Sequence, residues 1–323
     1  MLGISHSGYY AWKQKDQAVI GKQKETDLAR VKEGFQVGRG CYGTRRIREH
    51  WLKRGISMSR KSIGILMKEA HLVARQGKKS HPVTTKQDQQ NLAAPNILNQ
   101  NFIAEKPNQK WVGDITYIGT RQGWLFLAIL MDLYSRKIVG WAMDERSDSM
   151  LVQKAWKMAI ANRHPATELI HHSDRGSQYT AEAYRRLVEA SGCTLSMSRT
   201  GNCYDNAAME SFYASLKKEC AYRKFVDRQE ARNVLFEYIE LWYNRQRYHS
   251  RLGYMSPVEF EMKSGHKKCP LFLTSPLRPT QRLDHPSRAI EAQPYGEGLL
   301  PPQSALLNKP KKNIIVINDL SAN

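Results

Sequence analysis

The sequence predicts an α/β protein in which a small helical domain precedes a mixed five-stranded sheet with flanking helices. Extended and helical patterns alternate from Lys110 onward, as is typical of such a sheet. Shorter helical patterns occupy the first 75 residues, where basic residues are also concentrated. With 323 residues, 41% of them hydrophobic, the chain is long enough for two domains and at least one sizeable core.

Residues 1–75 are predicted to be a basic helical region that binds DNA, with a helix-turn-helix-like unit at residues 42–71. A break at Gly55 separates two helical patterns, and Ser59 suits the N-cap of the second. Apolar residues recur along one side of each helix: Ile47, Trp51, Leu52, Ile63, Leu66 and Met67. The other side of the second helix carries three residues predicted to contact DNA: Arg60, Lys61 and Lys68. Helical hairpins also occur in ordinary cores, so the basic side, rather than the shape, favours DNA.

The charge distribution supports the same interpretation. The formal net charge is +20, and residues 1–104 hold 19 Lys and Arg against 7 Asp and Glu. Such an excess predicts a polyanionic partner, either nucleic acid or an anionic membrane. The longest apolar run, residues 124–131, is too short to span a bilayer, so no membrane partner is predicted. A basic face that serves only solubility is the alternative.

Two segments outside the folded domains are predicted from composition. Residues 76–101 are rich in Lys, Gln, Asn, Thr and Pro, which predicts a linker. Residues 264–323 hold 8 of the 13 prolines and lack apolar periodicity, which predicts a disordered tail with at most one short strand at 314–317. The catalytic core with a C-terminal helical extension is therefore placed at residues 102–263.

Within the core, three strands joined by short turns come first, at residues 111–118, 124–134 and 137–143. A helix with an apolar stripe from Leu151 to Ile160 follows. Four further elements are a strand at 169–172, a helix at 180–189, a strand at 194–197 and a helix at 207–219. This order, βββαβαβα, is the ribonuclease-H-like arrangement. A last helix at 227–244 has apolar residues for the core or a partner: Phe236, Ile239, Leu241 and Trp242.

Three acidic residues occupy distinctive positions in this order. Asp114 interrupts the first strand, Asp174 ends the fourth, and Glu210 begins the last core helix. Ends of adjacent strands and a helix beside them can bring three carboxylates together. Because such a cluster repels itself without cations, it predicts hard divalent ions, Mg²⁺ or Mn²⁺. Two ions could activate a nucleophilic oxygen and stabilise a leaving 3′-oxygen at phosphorus.

The residues around the acids carry a more specific signal. Residues 111–117, 172–179 and 201–212 resemble the three signatures of the integrase core. In this order they resemble the DDE transposases of bacterial insertion sequences, most closely the second-reading-frame protein of the insertion-sequence-three family. Residues 7–12, 42–47 and 243–257 match the same family, so the resemblance covers residues 3–262.

The resemblance implies that Asp114, Asp174 and Glu210 are the catalytic residues and metal ligands. It implies hydrolytic cleavage at the element's ends, followed by attack of the freed 3′-hydroxyl on another phosphodiester. The partners would be DNA of the element ends and target, further copies of the chain on that DNA, and an upstream-frame protein, fused or separate. That frame would recognise the ends, and this chain starts inside the fused product. A cytoplasmic, nucleoid-associated bacterial protein is expected, and the five cysteines form no C-x-x-C pair that would suggest otherwise.

Other residues are candidates for binding or structure. Lys217, two helical turns after Glu210, is predicted to contact substrate phosphate, with a plain surface lysine as the alternative. Four residues beyond the last helix are predicted to grip the DNA backbone: Arg245, Arg247, His249 and Arg251. His171 and His172 lack Cys or His partners at useful spacing, so a structural role is favoured over metal binding.

Two other functions remain open. The chain could be a DNA-binding protein without chemistry, such as a regulator or an inactive remnant of an element. It could also be a nuclease that cleaves DNA without joining it. Steep salt dependence of DNA binding is expected for a binding protein and an enzyme alike, so only an assay of metal-dependent strand transfer separates them.

Overall fold

The computed structural model describes residues 5–13, 17–76, 94–199 and 203–265. The strands are β1 (Lys110–Thr120), β2 (Gly123–Asp132), β3 (Ile138–Asp144), β4 (Ile170–Ser173) and β5 (Thr194–Met197). The helices are α1 (His6–Lys13), α2 (Gln17–Val37), α3 (Thr44–Leu52), α4 (Arg60–Glu69), α5 (Ser149–Arg163), α6 (Ser177–Thr180), α7 (Glu182–Ala190), α8 (Ala207–Glu219), α9 (Arg228–Phe236) and α10 (Pro257–Lys263). Within these ranges, no helix combines the length and apolar character needed to cross a membrane.

The five strands form one mixed sheet in the order β3-β2-β1-β4-β5. Strands β1, β2 and β3 pair antiparallel through short turns, whereas β4 joins β1 and β5 joins β4 in parallel. The parallel strands require crossovers, which α5 and the α6–α7 pair supply. This topology confirms the predicted ribonuclease-H-like arrangement.

Alternating side chains of β1 pack into two separate hydrophobic layers. Trp111 packs with Trp156 of α5 on one face, and the stripe predicted for α5 is buried there. Val112 and Ile118 pack on the opposite face with Phe212 of α8. Because side chains alternate along a strand, residue 114 lies on the α8 face with residues 112 and 118.

The N-terminal helices pack against the α8 side of the core. Ser59 caps α4 by accepting a hydrogen bond from the Ser62 N–H at 3.0 Å, as the sequence predicts. All the predicted apolar residues of α3 and α4 are buried except Leu52, which is 43% exposed. The Tyr42 hydroxyl accepts a hydrogen bond from the Tyr248 N–H at 2.9 Å, which joins this region to the end of the core.

The end of the predicted linker is part of the folded core. Leu98 is only 2% exposed, and the Ser196 hydroxyl accepts hydrogen bonds from the Ile97 and Leu98 N–H groups at 2.9 and 3.0 Å. One apolar anchor and backbone hydrogen bonds hold this segment, and neither is visible in its polar composition. Residues 77–93 of the linker and residues 266–323 of the predicted tail lie outside the described ranges.

Two predicted helices differ from the observed ones. The helix predicted at 180–189 is divided into α6 and α7, because the Ala181 backbone is extended, with ψ 130°. The helix predicted at 227–244 continues beyond α9 as a π-helical turn, Glu237–Tyr243. The Asn244 side chain follows this turn and pairs with the backbone of Ile138, accepting from its N–H at 2.9 Å and donating to its carbonyl at 3.0 Å.

The π-helical turn also settles which apolar residues of this helix are in the core. Ile239 and Trp242 are buried at 0% and 1% exposure, whereas Phe236 and Leu241 are 50% and 45% exposed. The buried pair joins the layer that contains α8. Of the four apolar residues predicted for the core or a partner face, Ile239 and Trp242 are therefore in the core, whereas Phe236 and Leu241 are on the surface.

Candidate active site

Asp114 lies in the middle of β1, on the face of the sheet that α8 covers. Its Oδ1 accepts a hydrogen bond from the Ile115 N–H at 2.7 Å, and its Oδ2 accepts one from the Asn206 side-chain amide at 2.8 Å. Burial raises the pKa of Asp114 well above its usual value, and the nearby charge of Asp174 raises it further. This carboxylate is therefore oriented by two hydrogen-bond donors, while burial and the neighbouring negative charge disfavour its charged form.

The register of the parallel strands explains why Asp174 is close to Asp114. Val112 is paired with His172, and each aspartate lies two residues beyond this pair, Asp114 within β1 and Asp174 directly after the end of β4. The Asp174 Oδ1 accepts a hydrogen bond from the Gly176 N–H at 3.0 Å. Burial raises the pKa of Asp174 as well.

Glu210 is exposed in the first turn of α8, and its charge contributes to the raised pKa of Asp114. The three acids predicted from the sequence thus lie in one region. They do not form a closed cluster, because no group of three or more His, Cys, Asp or Glu side chains among the described residues is arranged to hold a metal ion. The two aspartates form the pair, and Glu210 lies beside them.

The donor chemistry of the aspartate pair fits a hard divalent cation. Two half-buried carboxylates whose protonation is favoured by burial and mutual repulsion would be stabilised by a bound positive charge. Oxygen ligands of this kind suit Mg²⁺ and Mn²⁺. Asp114 and Asp174 would hold the ion, with Glu210 closing the site from α8.

Asn206 and Asp205 belong to the polar loop at residues 201–206, for which the sequence leaves a plain turn and shaping of the active site both open. They end the 3₁₀ turn before α8, and the Asp205 side chain is fully buried. Burial alone would raise the pKa of Asp205, but hydrogen bonds from Arg199 lower it below its usual value. Asn96 and Gln100 also donate to Asp205, at 2.9 and 3.0 Å. This network fixes the turn that presents Asn206 to Asp114.

The glycine next to Asp114 allows β1 to approach its neighbours closely. A Cβ atom on Gly113 would lie 2.8 Å from His171 Cε1 and 3.0 Å from Leu130 Cδ2, too close for any other residue without displacement. A glycine inside a strand pattern is the sequence signal for such a close approach. Gly113 therefore contributes to the spacing between the two aspartate-bearing strands.

His171 and His172 have structural contacts, in line with the sequence prediction. His171 Nε2 forms a hydrogen bond with the Tyr184 hydroxyl at 2.8 Å, and burial lowers the pKa of His171 to about 3. His172 forms hydrogen bonds with the hydroxyls of Ser196 and Ser198 at 2.8 and 3.1 Å. Burial lowers the pKa of His172 to about 4, so both rings are neutral donors and acceptors inside the core.

Most of the predicted DNA contacts lie on the surface. Five of them are exposed: Arg60, Lys61, Lys68, Arg245 and Arg251. Lys217 is half-buried, and its Nζ lies 5.0 Å from the centre of the exposed Tyr117 ring. His249 is also half-buried, beside the ring of Tyr243.

The prediction for Arg247 is wrong. Its side chain is buried and forms an ion pair with Glu219, with Nη2 2.8 Å from Oε1 and Nε 2.8 Å from Oε2. The Tyr238 hydroxyl donates to the same carboxylate at 3.0 Å. The sequence shows a basic residue beyond a helix, but not the buried acid, 28 positions earlier, that neutralises it.

Comparison with known proteins places these features in context. Residues 104–203 and 191–257 each match an integrase core domain, and residues 22–80 match an HTH-like domain. The chain is 46% identical to the insertion element IS600 uncharacterized 31 kDa protein of Shigella sonnei, covering 81% of this chain and 97% of that protein.

Two further relatives are transposases. The transposase for insertion sequence element IS904 of Lactococcus lactis is 41% identical, over 74% of this chain and 94% of its own length. The transposase InsF for insertion sequence IS3A of Escherichia coli is 36% identical, over 82% of this chain and 92% of its own length.

The mixed sheet, the aspartate pair on its central strands and the matched domains define an integrase-core transposase of the polynucleotidyl transferase class. Its HTH-like and integrase domains make DNA the partner. The chain belongs to the insertion-sequence-three family of transposases, which confirms the resemblance drawn from its sequence.

Proposed function

We propose that this transposase cleaves DNA at the ends of its insertion sequence and joins the freed 3′ ends to target DNA, with Asp114, Asp174 and Glu210 as catalytic residues and metal ligands. The observation that carries the proposal is the pairing of Asp114 and Asp174, which the register of two parallel strands brings together. Two adjoining carboxylates repel each other in their charged forms. In an integrase-core transposase, a bound cation and not a proton would relieve this repulsion.

A bound divalent ion, either Mg²⁺ or Mn²⁺, would supply positive charge for the attacking and leaving oxygens at phosphorus. The full site would hold two such ions. The chain's own residues orient the carboxylates that hold them. Asn206 and the Ile115 N–H aim the two oxygens of Asp114, and the Gly176 N–H fixes Asp174. Because a phosphodiester replaces a phosphodiester, the joining step needs no nucleotide cofactor.

Binding of DNA is assigned to the exposed basic residues. The basic side of α4 is directed at duplex DNA, and its three members have no ion-pair partner within the described ranges: Arg60, Lys61 and Lys68. Lys217, held over Tyr117, offers an ammonium to a phosphate near the acids. Arg245 and Arg251 contact the DNA backbone as well. Further copies of the chain and the upstream-frame protein complete the assembly that holds both element ends and the target.

The test is a strand-transfer assay with the full chain, DNA carrying the ends of its own element and a target plasmid, in Mg²⁺ or Mn²⁺ against EDTA. We expect cleaved ends and joined product only with the cation. Clean cleavage without joined product would instead define a nuclease. DNA binding without cleavage in either cation would define the alternative function, an inactive remnant or a regulator of the element.

Asn206→Ala tests the orientation of Asp114. Loss of the amide donor frees one carboxylate oxygen, so we expect about a 10- to 100-fold fall in cleavage, as is typical when a partner of a metal ligand is lost. Part of this loss should be recovered at higher Mg²⁺, because the defect is in holding the ion. The matched control is Asn233→Ala, an exposed asparagine on α9. An unchanged Mg²⁺ requirement in Asn206→Ala would contradict this role.

A further inference from the structure

A cavity of about 310 Å³ lies between α8, α3 and the segment that follows the π-helical turn. We call it the arginine cavity, because four arginines line it: Arg46, Arg136, Arg247 and Arg251. Ser211 and His249 also line it. Ser211 directly follows Glu210 in α8, and none of the three acids lines the cavity.

The positive charge in the arginine cavity is only partly neutralised. Arg247 is paired with Glu219, but the other three arginines form no ion pair with any described residue. Arg46 Nε donates to the neutral Tyr248 carbonyl at 3.1 Å. Arg136 Nε is buried and has no hydrogen-bond partner among the described residues. Such a donor is costly to leave unsatisfied, which points to a missing anionic partner.

Mutual repulsion supports the same conclusion. Burial lowers the pKa of Arg136 to about 10, and the charge of Arg251 acts in the same direction. Asp132 attracts Arg136 only weakly, because it already forms an ion pair with Arg163 at 3.1 Å. Burial and the charge of Arg247 likewise lower the pKa of Arg46. A bound anion would relieve all of these interactions together.

We propose that the arginine cavity binds a phosphate group of the DNA backbone, an assignment that rests on the proposed function. Guanidinium groups offer paired N–H donors that match phosphate oxygens, and the Ser211 hydroxyl can donate as well. Ser211 and Arg251 are exposed, so a phosphate attached to a polymer can reach the cavity from solvent.

The position of the cavity gives this contact a particular role. Arg46 belongs to α3 of the HTH-like region, whereas Arg136 and Arg251 belong to the catalytic core. A phosphate held between them is contacted by both domains. The contact therefore sets the position of a DNA strand relative to the two domains and does not select its sequence, because backbone phosphates carry no sequence information.

The test measures binding of a fluorescent random-sequence duplex to the full chain in EDTA, over a series of KCl concentrations. Arg136→Gln and Arg251→Gln are each expected to reduce the slope of log affinity against log salt by about one, because one phosphate contact is lost. Each should weaken binding about tenfold at fixed salt. Arg186→Gln is the matched control, since Arg186 is exposed on α7 and outside the cavity. It should leave both quantities unchanged.

Melting temperatures separate a DNA phosphate from a free anion and from a structural role. Because the substitution removes one of several repelling charges, Arg136→Gln should melt no lower than wild type. Inorganic phosphate could raise the melting temperature of wild type but not of Arg136→Gln, while the salt slopes of duplex binding stay unchanged in the variants. In that case the cavity holds a free anion and the proposal is overturned. Unchanged slopes in variants that still transfer strands also overturn it, and leave the proposed function standing. If the wild-type chain binds no DNA, both this proposal and the proposed function are overturned.

Discussion

Asp174→Asn is expected to reduce DNA cleavage by about a thousandfold or more while binding to the element ends stays within about twofold of wild type. The amide keeps the size and shape of the carboxyl group and can still accept from the Gly176 N–H. It lacks the negative charge that holds a divalent cation beside Asp114. The chemistry therefore loses several kcal/mol of charge stabilisation, whereas the DNA surface is unchanged.

Cleavage and binding are measured on the same preparation, by gel assay in Mg²⁺ and by fluorescence anisotropy in EDTA. The matched control is Asp227→Asn, because Asp227 caps α9 and asparagine caps a helix equally well. This control should cleave at the wild-type rate. Full cleavage by Asp174→Asn would show that Asp174 is not a catalytic residue.

The second large effect concerns stability. Arg247→Met is expected to lower the free energy of unfolding by about 3–5 kcal/mol, because the Glu219 carboxylate is left buried without its counter-charge. The double variant with Glu219→Leu should recover most of this loss, since replacing both members of a buried ion pair by apolar groups is often neutral. Urea unfolding followed by tryptophan fluorescence measures both.

Arg245→Met is the control, because Arg245 is exposed two positions away and its loss should change stability by less than about 0.5 kcal/mol. Equal small effects at positions 245 and 247 would show that the buried pair contributes little. Failure of the double variant to recover stability would show that the pair is also needed for packing.

The stability gap between wild type and Arg247→Met should depend on pH. Burial alone would raise the pKa of Glu219, but Arg247 outweighs it and the pKa lies below its usual value. The carboxylate therefore contributes stability above its unfolded pKa, about 4.3, and loses it as pH falls through the lower folded value. In the variant the buried carboxyl group prefers its neutral form. The gap is largest at neutral pH and narrows as pH falls, from the raised pKa of the carboxyl group in the variant down to its lowered pKa in folded wild type.

Local features of the fold were predicted best. The Ser59 cap, the buried stripe of α5 and the order of the strands along the chain all depend on residues within a few positions of one another. The division at Ala181 and the π-helical turn before Asn244 were not predicted. Asn244 shows why: its amide pairs with Ile138, 106 positions earlier, and no local pattern records that contact.

The candidate site shows the same division. Residue type, position in the strand order and the resemblance of the surrounding motifs together predicted Asp114, Asp174 and Glu210. The register of β1 against β4 was needed to place the two aspartates side by side, and the structure leaves Glu210 at the edge of the pair. The sequence left the role of the loop ending at Asn206 open, because the hydrogen bond from Asn206 to Asp114 joins residues 92 positions apart.

The sequence by itself was sufficient to predict the fold class, the basic N-terminal region and the three acids, because periodicity, capping and spacing are local properties of a sequence. The tertiary structure decided which of its many charges face solvent, a carboxylate or a cavity. Arg247 and Arg251 are only four positions apart and both line the arginine cavity, yet Arg247 is buried and neutralised by Glu219, whereas Arg251 is exposed. Burial and the distance to opposite charge decide what an arginine does, and both arise only when distant segments pack together.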